Sequence, residues 1–427
     1  VPPRRLVPLT QKAVTLVVDG RDVEAREGEP VAHAILASGR WVFGRSVKYH
    51  RARGPVCVSG RCEGCLMRVD GVSSVMTCRE KARHGMRCDA QNVVGSAQHD
   101  LLAMTDFLFP EGLDHHEMFT WSKPVNRTMQ LVAREIAGVG TLPDEREAPK
   151  PVTRADVDVL VVGGGVAGLT VAIACQKAGR KTLLLEEDAA FSPEMGALPE
   201  TARTLGVDLH LQTSALGLFV ETDGRRIVLA DGVSASGTGA MSIAPKVLVC
   251  AMGSAETGHT FEGNDLPGVI HASAAERLLD QGILVGERVV LAADPREDGL
   301  ASRLAARLIE AGAEVERISL SALHRARGRT GVRQVETSGG TFDCDVLVVA
   351  SLRGPVTELP QQAGAKVGFD GERFVIEASA HDGETAHPAT FVVGSAILFG
   401  ASPEEILAHA ERTAHAVIAA TEEAEHG

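Results

Sequence analysis

Four cysteines fall within a short stretch of this chain, in the order Cys57-x4-Cys62-x2-Cys65-x12-Cys78. A thiolate is a soft anionic metal ligand. This spacing lets one tight loop supply three of them while a neighbouring strand supplies the fourth. Four ligands so arranged suit two irons, which is the plant-type [2Fe–2S] cluster and the chemistry of single-electron transfer. Structural zinc usually pairs two Cys-x2-Cys knuckles, and only one is present. Disulfides suit an oxidising compartment, which nothing in the sequence indicates. Gly54, Gly60 and Gly64 punctuate the loop. Lacking Cβ, they are expected to take positive φ and turn backbone N–H groups onto an anionic cluster. Cys88 reads as a bystander, and Cys175, Cys250 and Cys344 read as small core hydrophobes.

A second constellation begins after a buried run, Val157–Val162. Gly163, Gly164, Gly165, Val166, Ala167 and Gly168 follow it and lead into a helical stretch, Leu169–Ala178. Gly163 makes the turn, Gly165 lets backbone approach a pyrophosphate, and Gly168 permits close packing of helix on strand. The helix N-terminus then faces the phosphates. Glu186, beside Glu187, ends the next strand 18 residues past Gly168, where a carboxylate can accept ribose hydroxyls. An adenine dinucleotide is the expected ligand. The motif alone leaves FAD, NAD and ATP open; FAD leads, with ATP or ADP as the alternative occupant.

A third segment repeats the pattern without its glycines. The strand Arg288–Leu291 is followed by Ala292-Ala293-Asp294-Pro295-Arg296-Glu297 and a helix at Leu300–Glu310. Asp294 reads as an N-cap, and Glu297 is expected to complete a capping box. Two carboxylates would then stand where a pyrophosphate should bind, so NAD(P)H is not expected there.

The elements around these sites set the fold class. Alternation about Asp19-Gly20 predicts a hairpin, Pro30–Ser38 a short helix, and Leu66–Val69 and Val75–Thr77 further strands. That is a ferredoxin-like α+β domain over residues 1–98. Residues 99–152 read as a connector with helical pieces at Leu101–Leu108 and Met129–Ile136, ending in a linker at Pro143–Pro151. Beyond it lies an α/β pattern of the two-dinucleotide Rossmann type. Residues 153–255 with 351–427 are expected to hold FAD or ADP, and 256–350 form a degenerate NAD-type domain.

The 427 residues carry a net charge of −13, which argues against nucleic acid or an anionic membrane as partner. Residues 1–100 carry 16 Lys and Arg against 10 Asp and Glu, a basic module on an acidic body. No run of apolar residues is long enough to span a bilayer, and no signal pattern stands at the start, which points to the cytoplasm. The basic run Arg45–Arg53 suits either a cofactor's negative charge or a solvated face. His115-His116 lacks further metal ligands at workable spacing. No catalytic pair or triad is readable.

The run Gly44-Arg45-Ser46-Val47-Lys48-Tyr49-His50-Arg51-Ala52-Arg53-Gly54 and the glycine turn at 163–168 give the chain its resemblance. It resembles the α subunit of heteromeric sarcosine oxidases and their relatives, the proline, hydroxyproline and opine dehydrogenases. The likeness extends to Phe119-Thr120-Trp121 and Gly138–Asp144. It implies an electron-handling subunit, partnered by a β subunit of amine-oxidase type that oxidises the amine on its own FAD. It extends further to FMN at a subunit interface, and to a further small subunit or electron acceptor. Ala251-Met252-Gly253 stands where the family has Ala-Thr-Gly, and Gly394-Ser395 where it has Gly-Asp. Gly253, Gly394 and Ser395 remain candidates to approach a flavin. The loop after Glu187 is short for one that lies along a flavin ring. Two other functions fit these residues: a self-sufficient NAD(P)H-dependent ferredoxin-type reductase, and a non-redox scaffold holding a nucleotide.

Overall fold

Asp19 and Gly20 both take positive φ (46° and 75°), the turn geometry whose twist suits a two-residue hairpin. They join β1 (Ala13–Val18) to β2 (Arg21–Arg26), paired antiparallel from Ala13↔Arg26 to Val18↔Arg21. Helix α1 (Val31–Ala37) follows and ends ahead of Gly39, whose φ of 89° is a glycine conformation. β3 (Leu66–Val69), β4 (Val72–Met76) and β5 (Arg87–Asp89) complete a sheet in the order β2-β1-β5-β3-β4. The cysteine loop runs into β3, and β4 runs out to Cys78. The computed structural model describes residues 2–9, 12–47, 49–104, 120–136, 151–188, 190–192, 195–234, 237–387 and 389–426. Lys48, His115-His116, Phe119, the stretch Gly138–Asp144 and the linker residues 143–150 lie outside the described residues. Among the described residues of the connector a 3-10 turn stands at Leu101–Ala103, residues 105–108 of the expected helix lying outside them, and α2 (Lys123–Ile136) starts six residues before the expected Met129.

The chain forms two compact units, residues 1–146 with 258–352 and residues 147–257 with 353–427. The second unit opens with β6 (Val152–Val162), α3 (Val166–Lys177), β7 (Thr182–Leu185), α4 (Leu198–Thr204) and β8 (Asp208–His210). β9 (Thr213–Val220), β10 (Arg226–Ser234) and β11 (Gly237–Cys250) follow. β8, β7, β6 and β11 run parallel in that order, with β10 and β9 as an antiparallel ribbon beyond β11. Along β6 the side chains alternate between two cores. Val159 and Val161 pack with Leu169 and Ile173, whereas Leu160 and Val162 pack with Leu248 and Leu359. A parallel sheet covered on both faces needs such continuous apolar runs.

The chain then returns to the first unit. β12 (Val269–His271), α5 (Ala272–Asp280), β13 (Arg288–Ala293), α6 (Asp298–Glu310), β14 (Glu314–Ser319) and β15 (Val346–Ala350) form a parallel sheet in the order β12-β15-β13-β14. One continuous apolar core joins this half to the cluster half. Leu16, Ile35, Phe43 and Met67 share it with Ile270, Leu278, Leu284 and Leu304. Each such side chain contributes roughly 1.5–3 kcal/mol by leaving water. Finally β16 (Thr390–Val392) and α7 (Pro403–His426) rejoin the second unit, where β16 lies parallel to the end of β11.

Candidate functional site

Cys57, Cys65 and Cys78 are buried (3%, 0% and 5% exposed), while Cys62 is half-exposed. The thiols group as two pairs, Cys57 with Cys62 and Cys65 with Cys78. In each pair one thiol is pushed down by the hydrogen bond it accepts, Cys57 to about 5 and Cys65 to about 7, and its neighbour is pushed up. Two thiols per metal is what a two-iron cluster asks for. Among the described residues no three His, Cys, Asp or Glu side chains converge on one ion. The backbone N–H groups of Ser59 and Arg61 donate to Cys57 Sγ at 3.5 and 3.3 Å, so the loop aims dipoles at the sulfur. Thr77 Oγ1 donates to the Cys65 carbonyl at 2.7 Å and ties the strand bearing Cys78 to the loop.

The loop glycines divide by role. Gly60 takes the expected positive φ of 78°. Gly54 and Gly64 do not: a Cβ on Gly64 would fall on the Gly54 carbonyl, and one on Gly54 would press on the Trp41 carbonyl. Their requirement is close backbone approach. The basic run is neither a cofactor-facing patch nor a solvated face along its whole length. Arg45 is buried and donates to the carbonyls of Ala97 (2.8 Å), His50 (2.9 Å) and Gln98 (3.2 Å). His50 Nδ1 lies 2.7 Å from Asp100 Oδ2, with both side chains buried. Together they clasp the 95–100 segment.

In the second unit each glycine of the 163–168 turn has its own constraint. Gly163 sits at φ 110°, and a Cβ there would strike the Ala251 carbonyl. Gly168 carries α3 so close that its Cβ would fall on the Gly163 carbonyl. Gly165, the residue ahead of α3, has nothing within 4 Å of a built Cβ, so its face is open to a ligand. Gly164 has a task that the motif alone does not reveal. Its N–H donates to Glu186 Oε2 at 2.6 Å, and a Cβ would crowd both Glu186 and Phe191. Glu186 also accepts from the Asp188 N–H at 2.8 Å. Burial holds its carboxyl above the usual carboxylate range, with these two N–H groups opposing. Glu187 follows it, half-buried.

The strand ends bring in the distant candidates. Val162, Leu185 and Cys250 end neighbouring parallel strands, and the crevice beyond such C-terminal ends is where open α/β sheets bind ligands. Gly253 (φ 67°) approaches Ser395, and Gly394 (φ 80°) packs on Ala167 in the first turn of α3, beside Val166. The candidate residues from three separated segments thus meet at one edge of the sheet. Open backbone at Gly165, donors at a helix start and an acid at the next strand end fit an adenine dinucleotide.

The third segment departs from its expectation in one detail. Asp294 does cap a short turn, accepting from the Arg296 N–H at 3.0 Å. No capping box closes, because the Asp294 N–H donates to the Ala350 carbonyl at 2.9 Å. Arg296 instead grips both Asp294 oxygens (2.8 and 2.9 Å). Arg317 pairs with Asp298 at 2.5 Å beside a cavity of about 550 Å³ lined by both and by Ser319.

Both regions of the chain resemble known proteins. Residues 11–93 match the model of a 2Fe-2S iron-sulfur cluster binding domain, and residues 158–195 match an FAD binding domain. The α subunit of sarcosine oxidase from Rhizobium meliloti (strain 1021) is 26% identical, over 91% of this chain and 45% of its own length. That of Corynebacterium sp. (strain P-1) is 27% identical over 92% and 43%. The chain therefore spans less than half the length of the relatives it matches. A crystal structure of L-proline dehydrogenase from P. horikoshii shares the fold, with a TM-score of 0.72, 21% identity, and coverage of 97% of this chain and 75% of that one. The sarcosine oxidase α resemblance holds across nine-tenths of the chain, which carries both a [2Fe–2S] and an FAD binding region. Among the described residues no helix is long and apolar enough to cross a membrane.

Proposed function

We propose that this chain, similar over most of its length to sarcosine oxidase α subunits, is the electron-transfer subunit of a heteromeric FAD-dependent amine or imino-acid dehydrogenase or oxidase. The single observation that carries this reading is the presence, in one chain, of four paired cluster thiols and an open dinucleotide turn. A flavin converts two-electron amine chemistry into single electrons, and the cluster accepts them one at a time. The chain's own residues hold and insulate these groups. Ser59 and Arg61 N–H groups stabilise negative charge at Cys57. The turn at Gly163–Gly168 seats the pyrophosphate, and Glu186 orients the adenosine. A β subunit with its own FAD supplies the amine-oxidising centre. Its substrate is of the sarcosine, proline, hydroxyproline or opine class. The site residues at 163–168, 186, 187, 253, 394 and 395 belong to this proposal.

Purification of the native complex followed by anaerobic titration with these four amines tests the reading. Cluster bleaching by one amine, only when a flavoprotein chain is present, is the expected result. Amine oxidation by the isolated chain, or repeated failure of any flavoprotein to co-purify, overturns it.

A further inference from the structure

We infer that Phe191 is the wall against which the purine of the bound dinucleotide rests, and that this ring, beside Glu186, gives the glycine turn its hold on the adenosine end of the ligand. The inference deepens the reading of residues 163–168 and 186 as a dinucleotide site and rests on it. A purine is joined directly to its ribose. It must therefore lie close beside the carboxylate that takes the ribose hydroxyls. Glu186 Oε2 lies 2.9 Å, and Phe191 Cε1 2.6 Å, from the point where a Cβ on Gly164 would stand. Ring and acid thus meet across a residue that has no side chain, and a side chain there would part them. The Gly164 N–H at 2.6 Å and the Asp188 N–H at 2.8 Å each hold one oxygen of Glu186. A carboxylate offers about four acceptor sites, so capacity remains for ribose hydroxyls while the acid stays turned toward the ring.

The setting of the ring fits this task. Phe191 is half-buried, packed against the core that α3 shares with β6 and β7. That contact fixes the ring in place, and its remaining surface is what a base can cover. The pyrophosphate end has the opposite character. Gly165 has nothing within 4 Å of a built Cβ, so backbone is open to the phosphates. One side of the turn therefore suits phosphate and the other suits an apolar face next to a hydroxyl acceptor. A phenyl ring makes no hydrogen bond to a base edge; it contributes stacking and excludes water.

The test uses the full chain freed of nucleotide and titrated calorimetrically with ADP and with ribose 5-diphosphate, which lacks the base. The unaltered chain should bind ADP about tenfold or more tightly than ribose 5-diphosphate. Phe191→Ala should lose about tenfold toward ADP and leave ribose 5-diphosphate unchanged, whereas a ring needed only for packing would weaken both alike. Phe191→Tyr should restore ADP. Phe191→Leu keeps an apolar contact with the core without the flat face, so it should melt as the unaltered chain does and remain weak toward ADP. Equal loss of the two ligands in Phe191→Ala, or full ADP affinity in both Phe191→Ala and Phe191→Leu, overturns the inference. Gly165→Val separates this from the site itself. If that variant loses ADP while the Phe191 variants keep it, only the wall is refuted; if Gly165→Val also binds ADP fully, the dinucleotide site falls with it.

Discussion

Gly165 and Gly168 stand three residues apart, and a side chain means opposite things at each. Gly165→Val points into open space, so the fold should survive at a cost of about 1 kcal/mol or less. The nucleotide, whose pyrophosphate needs that space, should be lost; full nucleotide content after purification would count against the site. Gly168→Ala drives a methyl into the Gly163 carbonyl and should cost roughly 1–3 kcal/mol in denaturant melts. The cysteines divide in the same way. Iron and acid-labile sulfide should come to two each per chain, Cys65→Ser should abolish them, and Cys88→Ser should leave both unchanged. Stoichiometric zinc without a reduced-state EPR signal would refute the cluster. Glu186 gives a pH signature. Its folded-state carboxyl is held above the ordinary range by burial, so its contribution to stability is full below the unfolded-state value and is lost as pH rises through the folded one. Above the ordinary carboxylate range, where the raised folded-state carboxyl titrates, Glu186→Gln should flatten that slope of the apo-chain's stability. An unchanged slope removes Glu186 from the account.

At the scale of elements, β13 and α6 rebuild a Rossmann unit whose turn has spent its own donors. The Arg296 N–H goes to the Asp294 carboxylate and the Glu297 N–H to the Asp294 main-chain carbonyl, and the Arg296 guanidinium holds the same carboxylate. Neither NADH nor NADPH should bleach the cluster in anaerobic stopped-flow mixing, and rapid bleaching by either would restore the reductase reading. Asp294→Ala should cost about 1 kcal/mol through the lost cap. Much of this was legible beforehand because the chemistry is local. The cysteine spacing, the glycine turn and the acid after β7 each act within about thirty residues of sequence. The meeting of Gly394 with Ala167 depends on β16 lying beside β11, and single-chain spacing carries no trace of that pairing. The capping box was misread for a similar reason. The Asp294 N–H had a competitor, the Ala350 carbonyl on the neighbouring β15, and that strand is 56 residues away in sequence. Gly54 and Gly64 need no positive φ; their constraint is the close approach of the Trp41 carbonyl to Gly54 and of the Gly54 carbonyl to Gly64, contacts invisible until the loop is folded.

For the whole molecule, the amine-oxidising step should depend on a second chain. Reconstitution of this chain with a co-purified flavoprotein should raise amine-driven cluster reduction from undetectable to stoichiometric, followed by visible bleaching and EPR. The cluster half and the 258–352 half share one apolar core, yet residues 147–257 are made between them. Domains settle as units while the chain is being synthesised, at about 5–20 residues per second. The cysteine loop therefore leaves the ribosome roughly 14–55 seconds before its wall at 265–352 is complete. During that interval Leu16, Ile35 and Met67 lack the side chains that later cover them. Iron delivered to such a nascent loop would meet thiols not yet enclosed, open to oxygen and to competing metals. The order of residues along the chain thus places secure cluster insertion after residues 265–352 have emerged, and a ribosome stalled near residue 250 should yield a nascent chain that loses its iron readily.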